Sequence, residues 1–178
     1  YQKVIDSGVD MVILTTPPHF RPEHIAAAVK AKKHVFCEKP MAVDGTGVRS
    51  VMESAKLAKE NDTNLMSGFC WRYNYPLRAT MERIHNGAIG DVRSYFATYY
   101  STPLWTKPRK DNWSDTEWQM RNWVHFDWLS GDHIVEQACH SIDKVNWAMQ
   151  NVAPISATAV GGRQMHEGDE RGNIYDHF

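Results

Sequence analysis

The first seventy residues alternate between short apolar runs and longer amphipathic segments. The runs DMVILTT (10–16), HVFCEKP (34–40) and NLMSGF (64–69) are typical of strands buried on both faces of a parallel sheet. The segments between them, 22–33 and 45–61, have the apolar spacing and end residues of helices. Because short strand–helix–strand connections imply right-handed crossovers, we predict an α/β fold whose parallel sheet is covered by helices.

The pattern changes in the remainder of the chain. Residues 76–88 are predicted to form a connecting helix, and residues 131–150 a long one. Residues 92–100 and 155–163 alternate between apolar and polar positions, as strands with one face on a core do. Residues 173–178 resemble the beginning of a further strand. We therefore predict an α+β unit with a mainly antiparallel, open sheet.

The predicted boundary between the two units follows residue 73. Residues 1–73 are expected to be the second half of a Rossmann-like domain, and residues 74–178 a substrate-binding domain. The chain opens in what looks like the middle of a helix and stops where a strand begins, so we expect a fragment. In such sheets ligands bind beyond the carboxyl ends of the strands. Three polar clusters should therefore meet at one rim, at residues 15–18, 37–40 and 69–72.

Composition and charge exclude several classes of protein. The formal net charge of -1 and the pI near 6.8 give no general attraction to nucleic acid or anionic lipid. No apolar run approaches the ~20 residues of a membrane span. Cys37, Cys70 and Cys139 lack CxxC spacing, so reduced thiols are expected in place of disulfides or a zinc ribbon. We expect a cytoplasmic protein, with a periplasmic or secreted location left open.

Lys39 is the first candidate for chemistry. It follows Glu38 and precedes Pro40 at the end of a predicted strand, where its side chain would enter the ligand crevice. A partly desolvated lysine loses its proton more readily and can hydrogen-bond a reacting hydroxyl. The alternative is a solvated lysine in a surface turn.

A second candidate is a line of ionisable residues along the predicted helix 131–150. Glu136 and His140 are four positions apart, His140 and Asp143 three, and His133 and Trp147 share their face. Burying such a line costs desolvation energy, so it is either solvent-facing or functional. We favour a functional role for this line of residues. For Asp143 the structural alternative is a partner that holds His140 in one tautomer.

A zinc site and an aromatic cluster are two further candidate features. His133, Glu136 and His140 are loosely spaced like zinc ligands, but the sequence is not HExxH, and we predict no metal. Five of the seven tryptophans lie close together along the chain. The alternatives for them are packing in the core, a dimer contact or a surface that binds a carbohydrate. These five are Trp105, Trp113, Trp118, Trp123 and Trp128.

Together these residues resemble the Gfo/Idh/MocA oxidoreductase family, which includes glucose–fructose oxidoreductase and inositol dehydrogenase. The markers are the VILTTPP segment followed by His24, then EKP at 38–40, WRY at 71–73 and the helix with Glu136-x-x-x-His140-x-x-Asp143. The resemblance covers essentially the whole chain.

The resemblance implies an enzyme that binds NAD or NADP and oxidises or reduces a hydroxyl of a sugar, a sugar derivative or an inositol. Lys39 and His140 would carry out acid–base work, Glu136 would orient the substrate, and Asp143 would support His140. Cofactor contacts are expected at Thr15, Thr16, Pro17, His24, Glu38, Lys39 and Arg72. Substrate contacts are expected at Lys39, Trp71, Tyr73, Arg121, Glu136 and His140. The open sheet would mediate a homo-oligomer.

Two departures from the family pattern keep alternatives open. No GxGxxG occurs in the 178 residues, so half of the expected dinucleotide site is missing. Glu136 stands where many relatives have Asp. One alternative is an NAD-dependent glycosidase or lyase that acts through transient oxidation of a sugar hydroxyl. Another is a non-catalytic sugar-binding or dimerising protein.

Overall fold

The computed structural model describes all residues from 1 to 178, and its first part is built on a three-stranded parallel sheet. Strands β1 (Met11–Leu14), β2 (His34–Cys37) and β3 (Leu65–Ser67) lie in the order β1-β2-β3. Both pairings are parallel. The parallel α/β sheet predicted from the sequence is confirmed, although each strand is shorter than the apolar run that predicted it.

Three helices accompany this sheet: α1 (Gln2–Ile5), α2 (Arg21–Lys30) and α3 (Gly45–Glu60). The Asp44 side chain caps α3 by accepting a hydrogen bond from Gly47 N at 2.6 Å. The helices α2 and α3 pack on one face of the sheet and bury a continuous apolar cluster against it. The cluster consists of Ile5, Val12, Ile25, Ala28, Val29, Val35, Cys37 and Ala58.

The opposite face of the sheet differs from the prediction. Met11, Ile13 and Met66 are 51%, 62% and 42% exposed, whereas Val12 and Val35 on the helix side are buried. Side chains of a strand point alternately to the two faces, so a sheet with helices on one side buries every second residue. The prediction of strands buried on both faces is therefore wrong for this face.

The second part of the chain contains five helices and no regular strand. They are α4 (Tyr75–His85), α5 (Asp115–Arg121), α6 (Asp127–Ser130), α7 (Asp132–Glu136) and α8 (Cys139–Ala148). Short 3₁₀ turns occur at 18–20, 70–73, 123–125 and 169–171. None of the helices has both the length and the apolar character that crossing a membrane requires.

The long helix predicted over 131–150 is broken between α7 and α8. Ala138 N donates to His133 O at 3.0 Å, and His140 N donates to Gln137 O at 3.3 Å. In an uninterrupted helix His140 N would donate to the carbonyl of Glu136 instead. The break thus withdraws the Glu136 carbonyl from the helical hydrogen-bond pattern, and another donor can use it.

The antiparallel sheet predicted for the second part is absent. Residues 92–100 and 155–163 form no strand, and the only pairing near them is an isolated antiparallel bridge between Gly162 and His177. A strand is stable only with a neighbouring strand to receive its hydrogen bonds. These segments lie beside no such partner, and Phe96 and Tyr100 are 90% and 91% exposed.

Close contacts join the two parts of the chain. The His19 ring lies edge-on to Trp128, with ring centroids 5.1 Å apart. At Gly131, whose φ is +80°, a Cβ would lie only 3.2 Å from Val43 Cα. The same Cβ would lie 2.8 Å from Val135 Cβ, so the positive φ and the close approach of Val135 and Val43 both favour glycine here. The approach brings Glu136 to the rim of the sheet.

Candidate active site

Lys39 and Glu136 form an ion pair at the carboxyl end of β2. Lys39 Nζ lies 2.7 Å from Glu136 Oε1 and also donates to the backbone carbonyl of Glu136. The two side chains are only 14% and 10% exposed. Such a shielded pair holds the lysine side chain in a fixed position, because the low dielectric strengthens the attraction between the two groups.

The break between α7 and α8 builds this arrangement. The Glu136 carbonyl, which the helix does not use, accepts a hydrogen bond from the Lys39 ammonium. The Gln137 side-chain amide donates to Glu136 Oε2, leaving Oε1 for Lys39. Both carboxylate oxygens are therefore held, and the ammonium receives one side-chain and one backbone acceptor.

Arg21 holds the strand ends together, and the sequence analysis missed it. Its buried guanidinium donates to the backbone carbonyls of Thr16 at 2.7 Å, Glu38 at 2.9 Å and Pro40 at 2.6 Å. A buried charge requires such partners. The one signal in the sequence is an arginine directly before Pro22, at the beginning of an alanine-rich helix. The Lys39–Pro40 peptide bond that Arg21 braces is cis.

His140 lies next to this pair in an aromatic enclosure. It is 7% exposed, and its ring centroid lies 6.3 Å from that of Phe69, 6.5 Å from Trp71 and 6.1 Å from Tyr99. Its Nδ1 has no hydrogen-bond partner. Burial, followed by the charges of Lys39 and Lys144, lowers the pKa of His140 below its ordinary value. A neutral imidazole can accept a proton at neutral pH through a nitrogen that a ligand reaches, which the buried Nδ1 is not.

Asp143 is paired with Arg72, and this corrects the predicted partnership with His140. Arg72 Nε donates to Asp143 Oδ1 at 3.0 Å and to Oδ2 at 2.9 Å, and Arg72 Nη2 reaches Oδ1 at 2.8 Å. Nη2 also donates to Asn151 Oδ1 at 2.9 Å, and the guanidinium lies over the Trp147 ring. A guanidinium matches both oxygens of a carboxylate, which is why Asp143 turns to Arg72. In this arrangement Arg72 is engaged by the protein, although we predicted a cofactor contact.

The other predicted cofactor residues lie at or near the end of β1 and β2. Thr15 is exposed and Thr16 Oγ1 lies 3.2 Å from His24 Nδ1, so His24 is occupied locally. Pro17 precedes the 3₁₀ turn. Glu38 packs so closely on Gly68 that a Cβ there would lie 2.8 Å from Glu38 Oε2. The segments that follow β2 and β3 therefore lie close together beside Lys39.

The predicted substrate residues divide into two groups. Trp71 and Tyr73 are 39% and 52% exposed in the turn after β3, and Trp71 contacts His140. Arg121 does not join them: it pairs with Glu117 at 2.9 Å and covers the Trp113 ring at 4.5 Å. The sequence around Arg121 contains no signal that indicates whether this residue lies near Lys39.

The candidate zinc ligands His133, Glu136 and His140 do not converge as a set in the structure. The Tyr99 ring lies between the two histidines, with centroid distances of 6.2 Å to His133 and 6.1 Å to His140. No three His, Cys, Asp or Glu side chains converge as metal ligands. Most of the clustered tryptophans pack locally against a cation or ring: Lys107 on Trp105, Lys110 on Trp113, Arg109 on Trp118 and His19 on Trp128.

Known proteins resemble the chain in sequence and in fold. Residues 1–69 match the model of an oxidoreductase family with an NAD-binding Rossmann fold. A 2,7-anhydro-N-acetylneuraminate hydratase of Escherichia coli is 27% identical over 94% of this chain and 41% of its own length. A myo-inositol 2-dehydrogenase of Thermotoga maritima is 34% identical over 51% of this chain and 26% of its own length.

A solved structure shares the fold as a whole. The aldose-aldose oxidoreductase of Caulobacter crescentus, complexed with glycerol, superposes with a TM-score of 0.76 at 23% identity. The alignment covers 99% of this chain and 48% of that one. The chain therefore spans less than half the length of these proteins, and its parallel sheet is a Rossmann-like one.

Proposed function

Because the chain belongs to the Gfo/Idh/MocA oxidoreductase family, we propose that it takes part in hydride transfer between NAD or NADP and a hydroxyl of a sugar, a sugar derivative or an inositol. The observation that carries the proposal is the Lys39–Glu136 pair, with the buried His140 beside it, at the carboxyl ends of a parallel sheet. Ligands of such sheets bind at those ends.

In the proposed mechanism Lys39 polarises the reacting oxygen. Its ammonium carries more protons than the two acceptors on Glu136 use, so one N–H remains to donate to a substrate hydroxyl. Glu136 balances the charge and keeps the ammonium in place. As alkoxide character develops on the substrate oxygen, the nearby cation stabilises it.

His140 is the proposed proton acceptor. Its lowered pKa keeps the imidazole neutral, so that the ring can take the hydroxyl proton during oxidation and return it during reduction. The aromatic side chains of Phe69, Trp71 and Tyr99 limit the access of water to this proton.

The residues present fit the nicotinamide end of the cofactor. Thr15, Pro17, Glu38 and Lys39 lie at or just beyond the carboxyl ends of β1 and β2, where Glu38 packs on Gly68. A bound nicotinamide would supply the hydride acceptor or donor. The glycine-rich turn that holds a pyrophosphate does not occur among these 178 residues, so this part of the chain accounts for one half of a cofactor site.

A second candidate is a glycosidase, lyase or hydratase that oxidises its substrate only transiently. The similarity to a 2,7-anhydro-N-acetylneuraminate hydratase favours it. The two functions differ in whether reduced nicotinamide cofactor accumulates with the product. A dehydrogenase accumulates one NADH or NADPH for each product molecule, whereas transient oxidation returns the hydride and leaves the cofactor unchanged. Measuring reduced cofactor and sugar product in the same reaction therefore distinguishes the two functions. Sugar binding in calorimetry without any turnover would instead favour a non-catalytic protein.

The predicted homo-oligomer is also a proposal. Its support is the exposed apolar character of residues 92–100 and 155–163, where Phe96 and Val160 are 90% and 83% exposed. Sedimentation of the protein and of its Phe96→Ser variant tests it. A dimer or tetramer that this variant weakens is expected, and a monomer at all concentrations would contradict it.

A further inference from the structure

Lys144 is a cation next to His140 that has no carboxylate partner. Lys39 is paired with Glu136, and Arg72 with Asp143. Lys144 takes part in no ion pair, yet its charge acts on His140 strongly enough to contribute to lowering the pKa of that imidazole. A half-buried lysine without an acid partner beside a proposed catalytic residue requires a reason.

Trp71 determines where the Lys144 ammonium lies. Lys144 follows His140 by one helical turn on α8, and its Nζ stands 4.9 Å from the centroid of the Trp71 ring. The same ring lies 6.5 Å from the imidazole of His140. The aromatic face attracts the cation and restrains it on the His140 side of the turn after β3. Trp71 is 39% exposed, so the position remains open to a ligand.

The acids of the site are not available to neutralise Lys144. Glu136 is held by Lys39 and Gln137, and Asp143 is held on both oxygens by Arg72. Glu38, the remaining acid that acts on His140, accepts the backbone N–H of Lys39 at 3.3 Å and packs on Gly68. The neighbourhood of His140 therefore offers one cation without a carboxylate partner, on the Trp71 ring that also contacts His140.

We propose that Lys144, held by Trp71, binds an anionic substituent of the substrate, so that the site prefers a sugar acid or sugar phosphate to a neutral sugar or inositol. The proposal rests on the function proposed above, since it places the reacting hydroxyl between Lys39 and His140. A carboxylate and a phosphate share the chemistry that a lysine ammonium recognises as a point charge.

The test compares matched sugars in the purified protein with NAD⁺ or NADP⁺. Glucose, glucuronate and glucose 6-phosphate form one set, and galactose with galacturonate another. We expect kcat/KM to be about 10- to 100-fold higher for an anionic member, the size of one hydrogen bond to a charged group. The better of glucuronate and glucose 6-phosphate identifies the anion. The preference should shrink as salt is raised.

Variants assign the preference to Lys144. Lys144→Gln should reduce the ratio of kcat/KM for the anionic sugar to that for the neutral sugar towards one, and Lys144→Arg should retain most of it. Lys59→Gln, an exposed lysine of α3, is the matched control and should keep the wild-type ratio. An unchanged melting temperature establishes that each variant is folded.

Two failures are distinguishable. Turnover of neutral and anionic sugars with equal kcat/KM, unaltered by Lys144→Gln, overturns the anion site and leaves the proposed oxidoreductase function standing. Absence of turnover for each of these sugars, in protein that binds NAD⁺ or NADP⁺ in calorimetry, contradicts the oxidoreductase function. Calorimetry then decides the anion site alone: glucuronate or glucose 6-phosphate must bind the wild type more tightly than Lys144→Gln, and equal or absent binding overturns it.

Discussion

The Lys39 ammonium lies 2.7 Å from the Glu136 carboxylate, although 97 positions separate the two residues along the chain. Lys39 lies just beyond the end of β2, and Glu136 is the last residue of the short helix α7. Their contact, with the Arg72–Asp143 pair near it, joins the two parts of the chain around His140. The candidate site therefore depends on how these two parts pack together.

Removing the acid of the first pair should destabilise the protein. Glu136→Ala leaves the Lys39 ammonium shielded from water without a countercharge, which costs about 3 kcal/mol of unfolding free energy. Urea unfolding measures the change. Glu53→Ala breaks an exposed pair with Lys56 and serves as the control, for which no measurable change is expected. Equal effects of the two variants would show that the Lys39–Glu136 pair does not contribute.

Arg72 should act through Asp143 even when no cofactor is present. Arg72→Lys loses the two-pronged contact, and we expect the unfolding free energy to fall by about 1–3 kcal/mol. In a double-mutant cycle with Asp143→Asn the two effects should be clearly non-additive. Additive effects, together with a change only in the KM for the cofactor, would instead support the prediction that Arg72 contacts the cofactor.

Stability should depend on pH through His140. Its folded pKa is below the ordinary 6.5 because of burial, then Lys39, then Lys144, so the unfolded chain binds this proton more tightly. The contribution is complete above pH 6.5 and is lost as the pH falls from there towards the folded pKa. The difference in unfolding free energy between the wild type and His140→Gln should change over that window. A constant difference from pH 7 to pH 4 would be inconsistent with a lowered pKa.

The pH dependence of activity should also report the protonation of His140. If neutral His140 accepts the hydroxyl proton, kcat/KM for oxidation falls as the pH drops through the lowered pKa, with its acid limb below 6.5. The limb should disappear in the residual activity of His140→Gln. An acid limb that persists unchanged in this variant would assign the proton transfer elsewhere.

The three free thiols should differ in reactivity. Burial raises the pKa of Cys37 and of Cys139 to about 11, whereas Cys70 is exposed. At pH 8 an alkylating reagent should therefore modify one thiol per folded chain, at Cys70, and all three only after unfolding. Mass spectrometry of peptides identifies the site. Early modification of Cys37 would mean that the core under β2 opens readily.

The sequence predicted the first part of the fold well because its signals are local. Apolar runs, helical spacing and the rim at the strand ends all follow from neighbours in the chain, and the relation of Lys39 to its strand is among them. The predicted strands are longer than the observed ones, because β2 ends at Cys37 and the next residue, Glu38, joins the sheet only through a backbone hydrogen bond from its N–H to Leu14 O.

The rest required contacts that no local pattern contains. The break after Glu136 leaves its carbonyl to Lys39, which is 97 residues away, and Asp143 turns to Arg72, which is 71 residues away. Alternation at 92–100 and 155–163 indicates amphipathic segments but does not specify a partner strand. The division into domains at residue 73 stays a prediction.

The role of Lys39 is tested most directly by the turnover of Lys39→Ala with a sugar that supports formation of reduced cofactor in the wild type. Lys59→Ala is the matched lysine control, and melting temperatures establish that both variants are folded. We expect kcat to fall by about 10²- to 10⁴-fold in Lys39→Ala and to stay at the wild-type value in the control. A folded Lys39→Ala protein that turns over at the wild-type rate would contradict a role for this ammonium in the chemistry.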